Sequence, residues 1–153
     1  MEITSYLKQV LDYCAYRERS HSEVRQKIRS LGYDEYETEE IIMFLIEENF
    51  LNEQRFAEGY ARGKFNYNGW GKIKITQGLR QKEVSEPLIK KALETIDEQE
   101  YEALLLKLLK QKEKQFSKEK NRWTKMNKIK QFLVQRGFEF HLIDRFIKEH
   151  LLH

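Results

Sequence analysis

The side chains best suited to chemistry in this sequence are basic residues that alternate with aromatic rings around a cluster of glycines. Five of the seven glycines lie within residues 59–78. The basic and aromatic residues that flank or follow them are Arg62, Lys64, Tyr67, Trp70, Lys72, Lys74, Arg80 and Lys82. A second group of this kind contains Lys118, Lys120, Arg122, Trp123, Lys125, Lys128, Lys130 and Arg136. Because lysine and arginine neutralise phosphates and exposed rings stack on bases, both groups could contact nucleic acid.

The two tryptophans of these groups have a structural alternative. A tryptophan beside glycines can fill a joint between helices, and for Trp70 the sequence leaves a packing role and a contact role equally open. For Trp123 we predict a buried position in the core. The basic and aromatic residues alone are therefore only a weak indication of nucleic-acid binding.

No arrangement of residues indicates a catalytic or metal site. The glycine cluster lacks the Lys-Ser/Thr pair of a phosphate-binding loop, and Gly69-x-Gly71 lacks the third glycine of a dinucleotide fingerprint. The histidines form no H-E-x-x-H motif, and His150 and His153 have no carboxylate in register. Cys14 lies on an apolar helix stripe and is expected to be a small core residue. We therefore predict that the protein is not an enzyme and binds no metal or cofactor.

Composition predicts a helical protein of the cytoplasm. Charged residues make up 35% of the 153 residues, and there is one proline and one cysteine, as is typical of soluble helical domains without disulfides. The longest apolar run, residues 41–46, is too short to cross a membrane. Since the first residues lack the basic and apolar regions of a secretion signal, we expect neither export nor membrane contact.

Charge is distributed unevenly along the chain. Residues 1–54 carry 6 basic and 12 acidic side chains, residues 55–99 carry 9 and 6, and residues 100–153 carry 13 and 7. The net charge therefore changes from −6 through +3 to +6. Solvated helix faces without a partner could produce some asymmetry, but a change of this size predicts different electrostatic partners for the two ends.

One sequence pattern recurs three times. EVRQKIRSLGY (23–33), KITQGLRQKEV (74–84) and KIKQFLVQRGF (128–138) align at offsets of 51 and 54 residues. The apolar positions that coincide are Val24, Ile75 and Ile129; Ile28, Leu79 and Leu133; Tyr33, Val84 and Phe138; Ile41, Ala92 and Phe146; and Ile42, Leu93 and Ile147. Because a unit of about 50 residues buries little apolar surface alone, neighbouring units are expected to stack.

Each unit is predicted to contain three helices. Capping residues mark several starts, namely Ser20 with Glu23, Asp34, Asn52, and Asp97 with Glu100. The second helices are predicted near 21–31, 71–82 and 124–136, and Gly32 and Gly137 follow the first and the third. The predicted fold is all-α, with three tandem three-helix repeats, similar to helix-turn-helix units, in an elongated, curved array. The predicted boundaries are 1–51 (acidic), 52–96 (glycine-rich joint and basic helix) and 97–153 (basic).

Four short motifs carry a resemblance to a known family. Residues 17–24 read RERSHSEV, close to R-x-R-S-x-x-E-L, and residues 50–62 read FLNEQRFAEGYAR, close to Y-L-[ND]-[DE]-x-R-F-A-x-x-Y-x-R. Residues 69–73 (GWGKI) match the start of G-x-G-x-x-x-I, and residues 133–138 (LVQRGF) match L-x-R-R-G-F. Over essentially its whole length the chain resembles the RecX family, the bacterial modulators of the RecA recombinase. It departs from the family pattern with Val24 for leucine, Gly78 for glutamate and Glu83 for glycine.

The resemblance implies a regulator without catalytic activity of its own. RecX-like proteins consist of tandem three-helix repeats, bind in the groove of the RecA–DNA filament, and alter its growth, ATPase, strand exchange and coprotease activities. The expected partners are therefore RecA and the RecA–DNA filament, with inhibition as the expected direction and at most weak non-specific DNA binding. The chain is expected to act as a monomer.

The candidate contacts with the filament come from all three units. They are Arg17, Arg19, Arg62, Lys64, Trp70, Gly71, Lys72, Lys74, Arg80, Lys82, Lys125, Lys128, Lys130 and Arg136. The glycines are expected to form a joint before the second helix of the middle unit, where backbone and basic side chains could approach a partner closely. A positive φ at Gly71 would make a β-branched residue there strained.

Two other classes of function remain open from the residues. The basic second helices of units two and three could enter the major groove as helix-turn-helix DNA readers, although the first unit is acidic and no dimerisation heptad is present. A protein-interaction array without any role in nucleic-acid binding is the third class. Salt dependence separates them, because only contacts with phosphates give a log–log salt slope.

Overall fold

The computed structural model describes residues 2–151, which form nine α-helices and no β-strand. The helices are α1 (Ser5–Tyr16), α2 (His21–Ser30), α3 (Glu35–Glu47), α4 (Glu53–Asn68), α5 (Lys72–Gln81), α6 (Glu86–Glu94), α7 (Glu98–Gln115), α8 (Arg122–Gln135) and α9 (Phe140–His150). The predicted all-α fold of three-helix repeats is confirmed, and the predicted second helices correspond to α2, α5 and α8. No helix in this part of the chain is long and apolar enough to span a bilayer.

Side-chain caps begin several of the helices. The Ser20 hydroxyl accepts a hydrogen bond from the Glu23 N–H, and the Glu23 carboxylate accepts one from the Ser20 N–H. Asp34 forms the same capping box at α3, and Asp97 accepts from the Glu100 N–H at α7. Each cap satisfies N–H groups that have no partner within the first turn. The caps predicted at Ser20, Asp34, Asn52 and Asp97 are thus confirmed.

The second helix of each repeat is followed by a residue with positive φ. These residues are Gly32 (φ 97°), Glu83 (φ 61°) and Gly137 (φ 96°), and they occupy equivalent positions in the repeat. Glycine adopts this conformation without strain, whereas a residue with a Cβ costs of order 1 kcal/mol there. Glu83 therefore keeps the backbone geometry of the repeat, although it departs from the family pattern.

The core is built from the apolar positions that coincide in the repeat alignment. The members with no exposed surface are Val24, Ile75, Ile129, Ile28, Leu79, Leu133 and Ala92. Tyr33 and Leu93 are only partly buried. Cys14 is buried as predicted, and burial raises the pKa of its thiol to about 11. The thiol is therefore neutral near pH 7, as expected for a core residue and not for a nucleophile.

Trp123 does not lie in the core, and the prediction that it would is wrong. Its side chain is 76% exposed in the first turn of α8. The buried residues of α8 are Ile129 and Leu133, and Trp123 precedes Ile129 by six positions, which places it roughly 240° around the helix. Its aromatic character suggested burial, but the helical register directs it away from the buried stripe.

Gly78 has a packing reason that the sequence did not reveal. A Cβ built on Gly78 would lie 2.0 Å from the hydroxyl oxygen of Tyr60 and 2.9 Å from its Cζ atom. A glycine inside a helix costs about 1 kcal/mol relative to alanine. Here the missing side chain leaves room on α5 for a tyrosine of α4.

The chain divides into two compact units. The first compact unit contains the residues up to Tyr60 together with Gly78–Ala92, and the second contains Ala61–Gln77 together with the residues from Leu93 onward. The division passes through α4, α5 and α6, so it does not coincide with the three sequence repeats. The repeat boundaries at 51/52 and 96/97 stay predictions.

Candidate functional site

The glycine joint, residues 68–72, connects α4 to α5 within the second compact unit, and its backbone donors bond inside the chain. The Gly71 N–H donates to the carbonyl of Arg136 at 2.8 Å. The Lys72 N–H donates to the hydroxyl of Tyr101 at 2.9 Å. N–H groups at the start of a helix are those that a phosphate would use. Because these two donors already have partners, the joint is a structural connection and not a phosphate cradle.

Gly71 is required by the close approach of two backbones. A Cβ on Gly71 would lie 2.4 Å from the carbonyl carbon and oxygen of Gly137. That oxygen accepts a hydrogen bond from the Ile73 N–H at 2.9 Å. The condition of a positive φ at Gly71 is not met, because the residue of the joint with positive φ is Gly69, at 65°. The chain turns at Gly69, and Gly71 then packs against the end of α8.

Trp70 is partly buried, and two lysines lie close to its ring. The Nζ atom of Lys64 is 4.8 Å from the ring centroid, and that of Lys74 is 4.5 Å away. An ammonium group at this distance is attracted by the negative face of the ring. Trp70 is therefore neither a fully buried plug nor an isolated surface ring, since it links a lysine of α4 to a lysine of α5.

Lys72 is part of the packing of the second compact unit. Its Nζ donates to the Glu98 carboxylate at 2.8 Å and lies 4.6 Å from the ring centroid of Tyr101. Tyr101 is fully buried, and its hydroxyl donates to the Glu139 carboxylate. Burial and that hydrogen bond raise the pKa of Tyr101 well above its ordinary value. The candidate contact residue Lys72 thus begins a network around the buried Tyr101 that holds α5 to α7 and to the start of α9.

Arg136 is likewise used inside the chain. Its Nη1 donates to the Asn68 carbonyl at 3.2 Å, and its guanidinium lies 5.1 Å from the ring centroid of Phe132. Asn68 is the last residue of α4, where carbonyl groups lack helical partners. Arg136 therefore caps α4 from the end of α8.

In the first compact unit, Arg17 and Lys82 share one carboxylate. Their nitrogen atoms lie 3.4 Å and 3.6 Å from Oε2 of Glu23. Burial raises the pKa of Glu23, but the hydrogen bond from the Ser20 N–H and the charges of Lys82 and Arg17 outweigh it and lower the pKa. The two cations therefore neutralise a capping residue of α2.

Arg19 and Arg80 also have internal partners. Arg19 is 8% exposed, its guanidinium lies 3.7 Å from the ring centroid of Tyr13, and its Nε donates to the Tyr13 carbonyl at 3.0 Å. Arg80 makes a two-pronged pair with Glu86 at 2.7 Å and 3.2 Å. Arg19 is too buried to reach a partner, while Arg80 stays exposed.

The remaining candidates differ in how fully they are paired. Lys128 donates to Glu119 at 3.2 Å, and the Nζ of Lys130 lies 3.7 Å from an oxygen of Asp144. Among residues 2–151, neither Arg62 nor Lys125 makes an ion pair or ring contact. Most of the fourteen candidates are therefore engaged within the chain. The structure gathers one set around the glycine joint, and separately brings Arg17 and Lys82 to the carboxylate of Glu23.

No group of three or more potential metal ligands occurs in the described part of the chain. His150 belongs to no such group among the described residues. Its Nε2 atom lies 3.9 Å from a carboxylate oxygen of Glu149. His153 lies outside the described residues.

Comparison with protein families identifies the repeats. The model of the RecX first three-helix domain matches residues 2–45, that of the second matches residues 52–93, and that of the third matches residues 98–147. The chain belongs to the RecX family. The RecX matches follow one another along nearly the whole sequence, in the order of their names.

Curated relatives agree with this assignment. The regulatory protein RecX of Clostridium tetani is 33% identical over 141 residues, which are 90% of this chain and 64% of that protein. The RecX of Oceanobacillus iheyensis is 32% identical over 91% of this chain and 51% of its own length. For the RecX of Vibrio parahaemolyticus the identity is 32%, over 81% of this chain and 77% of that protein. The chain thus spans between half and two thirds of the length of the first two relatives.

Solved structures of RecX proteins share the fold. The crystal structure of RecX from Lactobacillus salivarius matches with a TM-score of 0.87 and 30% identity, covering 97% of this chain and 96% of that one. A second crystal structure of a regulatory protein RecX gives a TM-score of 0.83 and 25% identity, over 92% and 69%. The described helices therefore form the RecX fold.

Proposed function

We propose that this chain is a regulator, without catalytic activity of its own, that binds RecA or the RecA–DNA filament and inhibits its recombinase, ATPase and coprotease activities. The observation that carries the proposal is the succession of all three RecX domains along the chain. The relatives are named regulatory proteins, and RecA as the target follows from the family resemblance of the sequence motifs. The proposed site of action is the cytoplasm, where the chain acts as a monomer.

The acidic first repeat supports contact with a protein. Residues 1–54 have a net charge of −6, and α3 exposes Tyr36 (74%) and Met43 (60%) among its glutamates. Exposed aromatic and methionine side chains are enriched at protein interfaces. A filament presents both protein side chains and phosphates, so opposite charges at the two ends of the sequence suit it.

Two features support a role without catalysis. The one thiol, that of Cys14, is buried and has a raised pKa, which makes it a poor nucleophile. The N–H groups of Gly71 and Lys72, where a nucleotide phosphate would bind in a glycine loop, bond within the chain. Any effect on ATP turnover is therefore expected to act through RecA.

The helix-turn-helix alternative is less favoured. It needs a basic second helix whose cations can reach bases in the major groove. In α5, Lys72 is paired with Glu98 and Arg80 with Glu86. These pairs reduce the positive charge that α5 could present to a duplex. In α8, Lys128 is paired with Glu119 and Lys130 with Asp144. Within the described residues, the basic side chains of α8 that make no ion pair are Arg122 and Lys125.

The test is ATP turnover by RecA on single-stranded DNA, measured while the purified chain is added before or after filament assembly. We expect turnover to fall with increasing chain concentration, and no turnover in the chain alone. An unchanged RecA rate at a large molar excess of folded chain would overturn the proposal. ATP hydrolysis that stays with the chain through further purification, without RecA, would overturn its non-enzymatic part.

A further inference from the structure

The end of α7 and the start of α8 carry the densest positive charge of the molecule. Residues 107–130 contain ten basic side chains and two acidic ones, a net charge of +8, whereas the whole chain has a net charge of +3. The basic residues are Lys107, Lys110, Lys112, Lys114, Lys118, Lys120, Arg122, Lys125, Lys128 and Lys130, and the acidic ones are Glu113 and Glu119. The rest of the chain is therefore acidic on balance.

Most of the charge near the connection of the two helices has no internal partner. We define the α7–α8 turn as residues 114–125. Within the described residues, its five basic side chains make no ion pair; they are Lys114, Lys118, Lys120, Arg122 and Lys125. All but Lys125, which is partly buried, are exposed. The one carboxylate of the turn, Glu119, is already held by Lys128 at 3.2 Å and by the Asn121 N–H at 3.1 Å.

A large aromatic ring stands exposed among these cations. Trp123 is 76% exposed, whereas Trp70 is partly buried and lies close to two lysines. Burying an indole ring lowers the free energy of the folded protein substantially, and leaving the ring in water forgoes that stabilisation. A departure from the pattern that the sequence predicts is expected at a functional or a strained position. The exposed ring thus needs an explanation that packing within the described residues does not supply.

We propose that the α7–α8 turn is a sequence-independent binding site for single-stranded nucleic acid. Trp123 stacks on an unpaired base, and Lys118, Lys120 and Arg122 neutralise the flanking phosphates. Alternating aromatic and basic side chains suit a single strand, because its bases present open faces for stacking. In a duplex those faces are covered, so an isolated ring at the surface gains nothing unless it forces the bases apart. The site acts on bare strands and does not depend on the regulation of RecA.

The test is fluorescence anisotropy of a labelled oligothymidylate titrated with the folded chain in the absence of RecA. We expect Trp123→Ala to weaken binding roughly tenfold, the size expected for one lost base stack, and Trp123→Phe to retain part of the affinity. Lys118→Gln with Lys120→Gln should lower the log–log salt slope by roughly 1.4, since each phosphate contact on a single strand contributes about 0.7.

Matched controls lie in the first compact unit. Lys90 and Lys91 are exposed on α6, and Tyr36 is 74% exposed on the acidic α3. Lys90→Gln with Lys91→Gln removes the same charge, and Tyr36→Ala removes a comparably exposed ring. Both variants should bind the oligonucleotide like the wild type. Melting curves of every variant establish equal folding, which the exposure of the replaced residues predicts.

Several outcomes would overturn the proposal. These are no binding at low salt, wild-type affinity in Trp123→Ala, equal losses in the control variants, or a duplex of the same length that binds as tightly as the single strand. A Trp123→Ala chain that loses oligonucleotide binding but still inhibits RecA would support the site and leave the proposed regulation intact. Conversely, a chain that binds the strand normally but never affects RecA would overturn only the proposed regulation.

Discussion

The glycine joint and the α7–α8 turn both combine tryptophan with basic residues, but they use them differently. At the joint, Lys72 pairs with Glu98, and Lys64 and Lys74 lie against Trp70. At the α7–α8 turn the lysines have no ion pairs within the described residues, and Trp123 is exposed. The more conspicuous motif in the sequence is thus an internal support, while the less conspicuous one is available to a partner. Positive charge indicates binding only where the fold leaves it unpaired.

The largest expected effect is on the free energy of unfolding, when a methyl group is added to Gly71 in the glycine joint. Gly71→Ala places a Cβ 2.4 Å from the backbone of Gly137, so we expect a loss of about 3 kcal/mol in the free energy of unfolding. Gly63→Ala is the matched control, because a Cβ there meets nothing within 4 Å. It should gain about 0.5–1 kcal/mol from helix propensity. Equal denaturant midpoints for the two variants would show that the joint is not tightly packed.

A charge reversal should separate the regions next most strongly. Lys72→Glu places a carboxylate beside Glu98 and removes the contact with the Tyr101 ring, so we expect a loss of about 1–2 kcal/mol. Lys118→Glu changes an exposed residue and should stay within about 0.5 kcal/mol. Urea unfolding of both variants measures the difference. If Lys118→Glu is the more destabilising variant, the result would contradict the conclusion that Lys72 stabilises the fold and that Lys118 only faces solvent.

Glu83→Gly should make a smaller change of the opposite sign. Glu83 has a φ of 61° at the position where the other repeats have glycine. Glycine removes the strain of a Cβ in this conformation, so the variant should be more stable by about 0.5–1 kcal/mol. Thermal unfolding provides the measurement, and Lys90→Gly, at an exposed position inside α6, is the control that should destabilise. A loss of stability in Glu83→Gly would mean that contacts of the Glu83 side chain stabilise the fold by more than the backbone strain at this residue destabilises it.

The smallest effect concerns the one ion pair at the edge of the α7–α8 turn. The hydrogen bonds from Asn121 and Lys128 lower the pKa of Glu119 below its ordinary value of 4.5. Because the folded-state pKa is depressed, this stabilisation is present above about pH 4.5 and is lost as the pH falls through the folded-state pKa. Glu119→Gln should therefore melt slightly below the wild type at pH 7 and converge with it in acid.

The same variant should also respond to nucleic acid. With Glu119 neutral, Lys128 loses its partner and the net charge of the turn rises, so Glu119→Gln should bind oligothymidylate about twofold more tightly at pH 7. Weaker binding by this variant would contradict the electrostatic contribution of the turn. Glu113→Gln, which removes a carboxylate without an ion pair in the described residues, is the comparison.

The helices and their ends could be predicted from nearby residues. Ser20 and Asp34 each form a capping box with a glutamate three positions further on. Gly32 and Gly137 end helices because the backbone at each of them has a positive φ, which glycine adopts without strain. The repeat alignment also placed the buried positions, because a helix must bury one stripe in every copy. These features depend on short stretches of chain and on periodicity.

The partners of the candidate residues could not be predicted in this way. Gly71 contacts Gly137, which lies 66 positions further along the chain, and nothing in either sequence neighbourhood indicates the other. The pairing of Lys72 with Glu98 and the exposure of Trp123 likewise depend on how distant helices pack. The candidate list therefore named the right residue types but could not distinguish cations that build the fold from cations that face solvent.

Regulation of RecA is tested most directly by measuring how much of the chain binds preformed RecA–DNA filaments. In a pelleting assay at physiological salt, the bound fraction of chain on filaments is compared with that on the same single-stranded DNA without RecA. We expect saturable binding to filaments that greatly exceeds binding to bare DNA, and a parallel fall in RecA ATP turnover. Equal binding with and without RecA, or filaments that pellet without the chain, would contradict the proposed function.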